Sequence, residues 1–156
     1  MGAPSDVTEA AVAAEAPAKT GPEPWAYWPF RIVAVAETVL IFDQAIYAGR
    51  FLAGDFGGLA LHKDNATYTG IVLLVQFVAA IALRWPGRGP LWPALTCLGM
   101  FGVIALQIIL GYARMLAIHV PLGVALITGT VLMLIWAWRP KPGEWVPFRG
   151  RAEDET

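Results

Sequence analysis

Two histidines are the only histidines in this 156-residue chain, and they occupy equivalent positions in a repeated pattern. His62 and His119 each come just before a long apolar run, and each follows a segment that contains a Gln, a Gly and an Arg in that order. Neutral imidazole is a standard axial ligand of haem iron. Two such imidazoles, facing each other across a membrane bundle, could bind one haem b from opposite sides. Because both axial positions are then filled, this ligation suits electron transfer better than oxygen chemistry.

The residues near the two histidines fit the needs of a porphyrin. Ala66 and Gly70 follow His62 at successive turns, and Gly123 lies one turn after His119. Residues four apart share a helix face, so these small residues leave room beneath the imidazoles. Propionates need cations near the aqueous edge. The basic residues expected on the histidine side are Arg50, Lys63 and Arg114.

Glu37, Asp43 and Gln44 form a second group of polar residues inside an otherwise apolar segment. Glu37 and Gln44 are seven residues apart and share a helix face, whereas Asp43 points elsewhere. The functional interpretation is a proton path or a contact with a quinone. The structural interpretation is a protonated acid whose hydrogen bonds are satisfied by Gln76, Gln107 or a threonine across the bundle. The structural interpretation is favoured for each acid, and the sequence leaves both open.

The elements that position these residues are four predicted transmembrane helices. The chain is 57% hydrophobic, and its apolar residues are pooled rather than dispersed. About 20 apolar residues span the hydrocarbon core as a helix. Three runs of that length carry no charge and a fourth carries Glu37, Asp43 and Arg50; the runs are residues 32–52, 65–83, 91–113 and 120–138. The second helix is expected to begin near residue 62, and Pro121 in the first turn of the fourth helix places His119 at its very end.

The repeat predicts how the helices are arranged. The histidines are 57 residues apart, and each unit consists of a helix, a loop, a histidine and a helix. Because each unit crosses the membrane twice, both units have the same orientation. The second and fourth helices are then equivalent and lie diagonally in an all-α four-helix bundle, which places the histidines face to face.

The flanking segments and basic residues predict the topology. Residues 1–28 form an Ala/Pro-rich tail, residues 29–138 the bundle and residues 139–156 a polar tail. Eight of the eleven Lys and Arg residues, and all seven tryptophans, map to the side of the termini. Positive residues favour the cytoplasm and indoles favour the interface. Both termini are therefore expected in the cytoplasm of a bacterium, with the bundle in its inner membrane and both histidines outside.

Several classes of protein are excluded by composition. No basic cluster resembles a phosphate-binding surface, so a nucleic-acid partner is not expected. The single cysteine, Cys97, excludes an internal disulfide and covalent haem attachment through a Cys-x-x-Cys-His motif.

The stretch from Gln107 to His119, followed by Val-Pro-Leu-Gly, resembles one half of a haem A synthase. That family consists of two similar four-helix bundles, each with a histidine at the outer ends of its second and fourth helices. The resemblance covers about residues 30–138 and implies haem b ligation by His62 and His119. The family's catalytic half has an acidic residue before its first ligand and a cysteine pair in the first outer loop. In this chain the residues directly before His62 are Gly-Gly-Leu-Ala-Leu (57–61), with no acid shortly before the ligand, and the loop has no cysteine, so the catalytic role is not implied.

The leading hypothesis is a haem b protein that transfers electrons or serves as the haem-bearing subunit of a larger membrane complex, without catalytic activity of its own. Its expected partners are the lipid bilayer and other membrane subunits. One alternative is a haem-free structural or accessory subunit of a respiratory or photosynthetic complex. A third is a quinone-linked enzyme subunit that uses Glu37 or Asp43.

Overall fold

The computed structural model describes residues 23–139, which form four long helices joined by short loops. No strand occurs in this part of the chain. A short 3-10 turn, Pro24–Ala26, precedes the helices α1 (Tyr27–Leu52), α2 (Gly57–Arg84), α3 (Trp92–Tyr112) and α4 (Leu116–Trp138). At 1.5 Å per residue even α3, the shortest, is about 32 Å long and matches a hydrocarbon core of about 30 Å. All four helices are long and apolar enough to cross a membrane, which confirms the predicted all-α membrane bundle.

The helices pack as a closed ring around the bundle axis. Each helix contacts the next one along the chain, and α1 also packs against α4. The pairs α1–α3 and α2–α4 therefore lie across the diagonals. This is the arrangement that the two-unit repeat predicts, because short connections make sequential helices antiparallel neighbours.

The first and third helices end with the same backbone motif. Gly54 has a φ of 96° and Arg114 a φ of 57°, both in the left-handed region. In each case the next residue's N–H bonds a carbonyl five residues earlier: Asp55 to Arg50 at 3.0 Å, and Met115 to Leu110 at 2.9 Å. This pattern satisfies carbonyls that the helix end leaves without partners. It returns the chain into α2 and α4 within a few residues.

Two predicted helix starts are wrong. The second helix begins at Gly57 rather than near residue 62, and the fourth begins at Leu116, so His119 is its fourth residue and not its end. Polar residues at the aqueous edge do not stop a helix whose first N–H groups find acceptors. The Asp55 carboxylate accepts a hydrogen bond of 3.0 Å from the Gly57 N–H. Both histidines are therefore held within helices rather than in loops.

The bundle is tightly packed at one end and hollow at the other. The packed end, here called the aromatic end, contains the start of α1 and the end of α4, and its tryptophans are in contact: Trp92 with Trp136 at 4.5 Å and Trp28 with Trp138 at 5.8 Å between ring centroids. The opposite end, the histidine end, carries His62 and His119. The fully buried core residues near the aromatic end include Phe30, Ala34, Leu83, Cys97 and Ala137.

The distribution of tryptophans agrees with the sequence, since six of the seven lie at the aromatic end of the described helices. Outward-facing side chains along all four helices are large and apolar, as a lipid environment requires. Trp145 and most of both tails lie outside the described residues, as do Lys19, Lys141, Arg149 and Arg151. Which end faces the cytoplasm stays a prediction.

Candidate functional site

The two histidines lie close together at the histidine end of the bundle. His62 projects from the second turn of α2, and His119 projects from the first turn of α4, its diagonal partner. Their ring centroids are 6.1 Å apart, and the ring planes are inclined at 55°. The two side chains thus approach each other across the diagonal of the bundle, as the two-unit repeat predicts.

Each imidazole is oriented by a backbone carbonyl of the helix before it. His62 Nδ1 lies 3.0 Å from the carbonyl oxygen of Gln44 on α1, and His119 Nδ1 lies 3.0 Å from that of Gln107 on α3. A carbonyl oxygen only accepts, so Nδ1 of each ring carries the proton and donates it. The lone pair of each Nε2 is then left for another ligand. Metal-binding histidines in proteins are oriented by this type of hydrogen bond.

A cavity of about 540 Å³ surrounds the pair at the histidine end. All four helices contribute to its wall, which is largely apolar and includes Ile41, Ile104 and Leu126. The volume and lining are those of a site for a small molecule or cofactor. The few polar groups in the wall are therefore the ones that can orient a ligand.

The metal-ligating side chains of the site are the two imidazoles. No cluster of three or more His, Cys, Asp or Glu side chains with metal-binding geometry occurs in residues 23–139. A structural metal ion in a protein normally takes at least four ligands. A haem iron needs only the two axial ones from the protein, because the macrocycle supplies the other four.

The separation of the rings is compatible with one metal between them. A metal–imidazole bond is about 2.0–2.1 Å long, and the centre of the ring lies about 1.1 Å from each nitrogen, given ring bonds of about 1.3–1.4 Å. Imidazoles on opposite sides of a metal then have centroids about 6.3 Å apart, close to the observed 6.1 Å. Rings in ordinary packing are also about 4.5–7 Å apart. The distance thus permits ligation, and the Nδ1 hydrogen bonds favour it.

The structure places the other predicted site residues in three different environments. Lys63, Ala66 and Gly123 line the cavity with both histidines. Gly70 lines a neighbouring apolar groove between α2 and α3, which also contains Ala66. Arg50 and Arg114 are not part of either lining.

Arg50 is engaged outside the cavity. Its guanidinium donates two hydrogen bonds to Asp55, at 2.9 and 2.6 Å, on an exposed surface. The hydrogen bond from Arg50 holds the pKa of the Asp55 carboxyl below its ordinary value. Lys63 is the cation at the cavity, and its Nζ lies 5.5 Å from the centre of the Tyr112 ring. The two basic residues are therefore not equivalent with respect to a bound propionate.

Several contributors to the site are not identified as such by the sequence. The carbonyls of Gln44 and Gln107 act through the backbone, and only the recurrence of Gln in both repeats marks their position. The side-chain amides of both residues also line the cavity, with buried polar atoms that lack hydrogen-bond partners among the described residues. Gly111 is a third case, because a Cβ there would lie 3.3 Å from His119 Cε1.

The two acidic residues of α1 differ sharply in their environment. Glu37 is 1% exposed, whereas Asp43 is only partly buried. Neither carboxyl oxygen of Glu37 has a hydrogen-bond partner in the described part of the chain. A charge at the centre of a membrane helix costs about 2.5–3.5 kcal/mol on insertion scales. Glu37 thus makes none of the hydrogen bonds to Gln76, Gln107 or a threonine that the structural interpretation requires.

No protein-family model, curated protein or solved structure matches this chain.

Proposed function

We propose that the protein is a membrane haem b protein in which His62 and His119 are the two axial ligands. The observation that carries the proposal is the pair of imidazoles facing each other at 6.1 Å, each with its Nδ1 proton donated to a backbone carbonyl. When bound, the haem iron supplies a one-electron redox couple. With both axial positions taken by histidine, the protein transfers electrons or serves as the haem-bearing subunit of a larger membrane complex.

The residues of the chain have distinct tasks in this proposal. The Gln44 and Gln107 carbonyls fix the tautomer and direction of the imidazoles, so little entropy is lost when ligation occurs. Ala66 and Gly123 keep the cavity wall near the ligands free of bulky side chains of their own, and the Gln107 amide packs against Gly123, with Nε2 3.0 Å from where a Cβ would stand. Lys63, at the cavity wall, is the candidate partner for a propionate. The apolar side chains around them exclude water, which strengthens electrostatic interactions within the site.

The location of the protein is part of the proposal. The helices require a lipid bilayer, and the excess of Lys and Arg on the side of the termini favours the cytoplasmic face of a bacterial inner membrane. The haem then lies near the opposite, outer surface. Electron partners on that side, or quinones within the membrane, are the candidates to exchange electrons with it.

The test is the absorption spectrum of protein purified from haem-sufficient cells. Wild type is expected to show a low-spin b-type spectrum, and His62→Ala or His119→Ala is expected to abolish it. Tyr68→Phe is a matched control on α2, since Tyr68 is 59% exposed and lies outside the cavity lining. Added imidazole is expected to restore the low-spin spectrum in His62→Gly, which separates lost ligation from lost folding.

The outcomes discriminate between the proposed functions. A folded wild-type protein with no Soret band contradicts the proposal and favours the haem-free structural or accessory subunit. A spectrum that survives in both histidine variants shows that other residues bind the haem. Either result leaves the four-helix fold intact, because the fold rests on the helices and not on the cofactor.

A further inference from the structure

Glu37 is a buried carboxyl group that haem ligation does not use. It lies in the middle of α1, is 1% exposed and has no hydrogen-bond partner for either oxygen within residues 23–139. Ionisable residues inside a membrane bundle are expensive and commonly mark a proton or ion path. The polar and ionisable groups around Glu37, and its spacing from the histidine site, therefore indicate its role.

The polar neighbours in the core do not donate to it. The hydroxyl groups of Thr38, Thr69 and Thr130 donate to backbone carbonyls of their own helices, at 2.8, 2.8 and 2.9 Å. The Gln76 side chain is 3% exposed, and its oxygen also lacks a hydrogen-bond partner among the described residues. Glu37 therefore belongs to a polar interior whose hydrogen bonds are incomplete, rather than to a closed network.

The ionisable groups of the neighbouring helices lie mostly at the ends of the bundle. On α2 the titratable side chain between Asp64 and Arg84 is the exposed Tyr68, and α3 contributes Tyr112 at its end and, in its first half, the buried Cys97 thiol, which interacts electrostatically with Glu37. On α4 the ionisable side chain is His119, with Arg139 directly after the helix. On α1 itself, Arg31 precedes Glu37 by six residues and donates from Nε to the Ala137 carbonyl, and Asp43 follows by six.

Glu37 lies deeper in the bundle than the histidine site, on the same side of α1 as Gln44. It precedes Gln44, whose carbonyl orients His62, by seven residues, which is two helical turns and about 10.5 Å along the axis. The two residues therefore share a face of α1. Ile41, one turn from Glu37, already lines the cavity. Across such an apolar distance the charge of a carboxylate is poorly screened, so it influences any charge placed between the histidines.

We propose that Glu37 is a proton-binding site coupled to the redox state of the haem held by His62 and His119. This inference rests on the proposed function and adds proton uptake to electron transfer. One electron enters from a one-electron donor, and one proton from the aqueous phase forms an O–H bond on the Glu37 carboxylate. No bond between heavier atoms forms or breaks, and oxidation releases both the electron and the proton.

The test is a redox titration of the haem-loaded protein at several pH values, with an electrode and mediators as the electron source. A carboxylate beneath the haem disfavours an added electron, so the wild-type midpoint potential is expected to fall as the pH rises through the range in which Glu37 exchanges its proton. Glu37→Gln is expected to lose this dependence while keeping its spectrum. Glu37→Asp retains an acid and is expected to retain the dependence. Asp43→Asn, on the same helix, is the matched control and is expected to behave as wild type.

Infrared difference spectra between the reduced and oxidised protein provide a second readout. A carboxylic acid C=O band that responds to reduction, shifts in D₂O and is absent in Glu37→Gln is the expected result. A b-type spectrum together with a pH-independent potential in wild type overturns the coupling but leaves histidine ligation standing. A pH dependence that persists in Glu37→Gln, or that is lost in Asp43→Asn, likewise overturns the coupling and leaves histidine ligation standing. Absence of haem overturns both proposals.

Discussion

Gly58 couples the packing of α1 against α2 to the position of a predicted haem ligand. A Cβ on Gly58 would lie 2.8 Å from both the Tyr47 carbonyl oxygen and the Phe51 nitrogen, and 3.0 Å from the Cβ of Arg50. Two of these three atoms are backbone and the third is fixed to it, so none can rotate away. His62 is four residues further along and therefore on the same face of α2. We expect Gly58→Ala to weaken haem binding without touching the cavity.

The size of the effect follows from these distances. Non-bonded heavy atoms pack best at about 3.5–4.0 Å, so the histidine end of α2 must move from α1 by about 0.7 Å or more. The 3.0 Å bond from His62 Nδ1 to Gln44 then lengthens beyond the range of a hydrogen bond. Loss of such a supporting bond typically lowers metal affinity about 10–100-fold, which corresponds to about 1.4–2.7 kcal/mol. Overpacking of this kind also costs about 1–3 kcal/mol of stability.

The assay is the rate of haem transfer to an excess of a soluble apo-globin, together with the thermal midpoint of the bundle. Gly102→Ala is the control, because a Cβ at Gly102 meets nothing within 4 Å and the residue lies outside the cavity. Both substitutions place alanine in a helix, so the comparison separates the clash at Gly58 from the general effect of replacing a helical glycine. If Gly58→Ala loses haem no faster than Gly102→Ala, the close contact between α1 and α2 does not position His62.

Three further predictions address the cations, a helix end and the topology. Lys63→Gln is expected to lower the haem midpoint potential more than Arg50→Gln, because Lys63 lines the cavity whereas Arg50 is paired with Asp55 outside it. Equal shifts of the two variants in a redox titration would contradict this prediction. Arg114→Gly is expected to raise the thermal midpoint, since glycine adopts a φ of 57° without the cost of about 1–2 kcal/mol that other residues incur. An unchanged or lower midpoint would show that the Arg114 side chain stabilises the bundle. Phe56→Cys, at a residue 80% exposed, is expected to react with an impermeant thiol reagent in intact spheroplasts, with wild type as a blank because its Cys97 is buried. Labelling that needs permeabilised cells would reverse the orientation.

The number of helices and their ring arrangement could be predicted because both depend on one-dimensional features of the chain. Long uncharged runs such as residues 91–113 have few options other than a membrane-spanning helix, since backbone groups must be satisfied internally in lipid. Short loops force neighbouring helices to be antiparallel. The spacing of His62 and His119 in equivalent units then places α2 and α4 on a diagonal. Helix starts were less predictable, because a local acceptor such as Asp55 extends α2 by five residues.

The chemistry of the candidate site depended on the tertiary structure. The sequence identified which residues carry imidazole, but their distance depends on how each helix is rotated about its axis, and that is set by close contacts such as the one at Gly58. The acceptors that orient the rings are backbone carbonyls, which every residue has and no residue type reveals. Similarly, three basic residues looked equivalent in sequence, and folding placed Lys63 at the cavity while pairing Arg50 with Asp55. Sequence determined which groups were present at the histidine end, and packing decided which of them face one another.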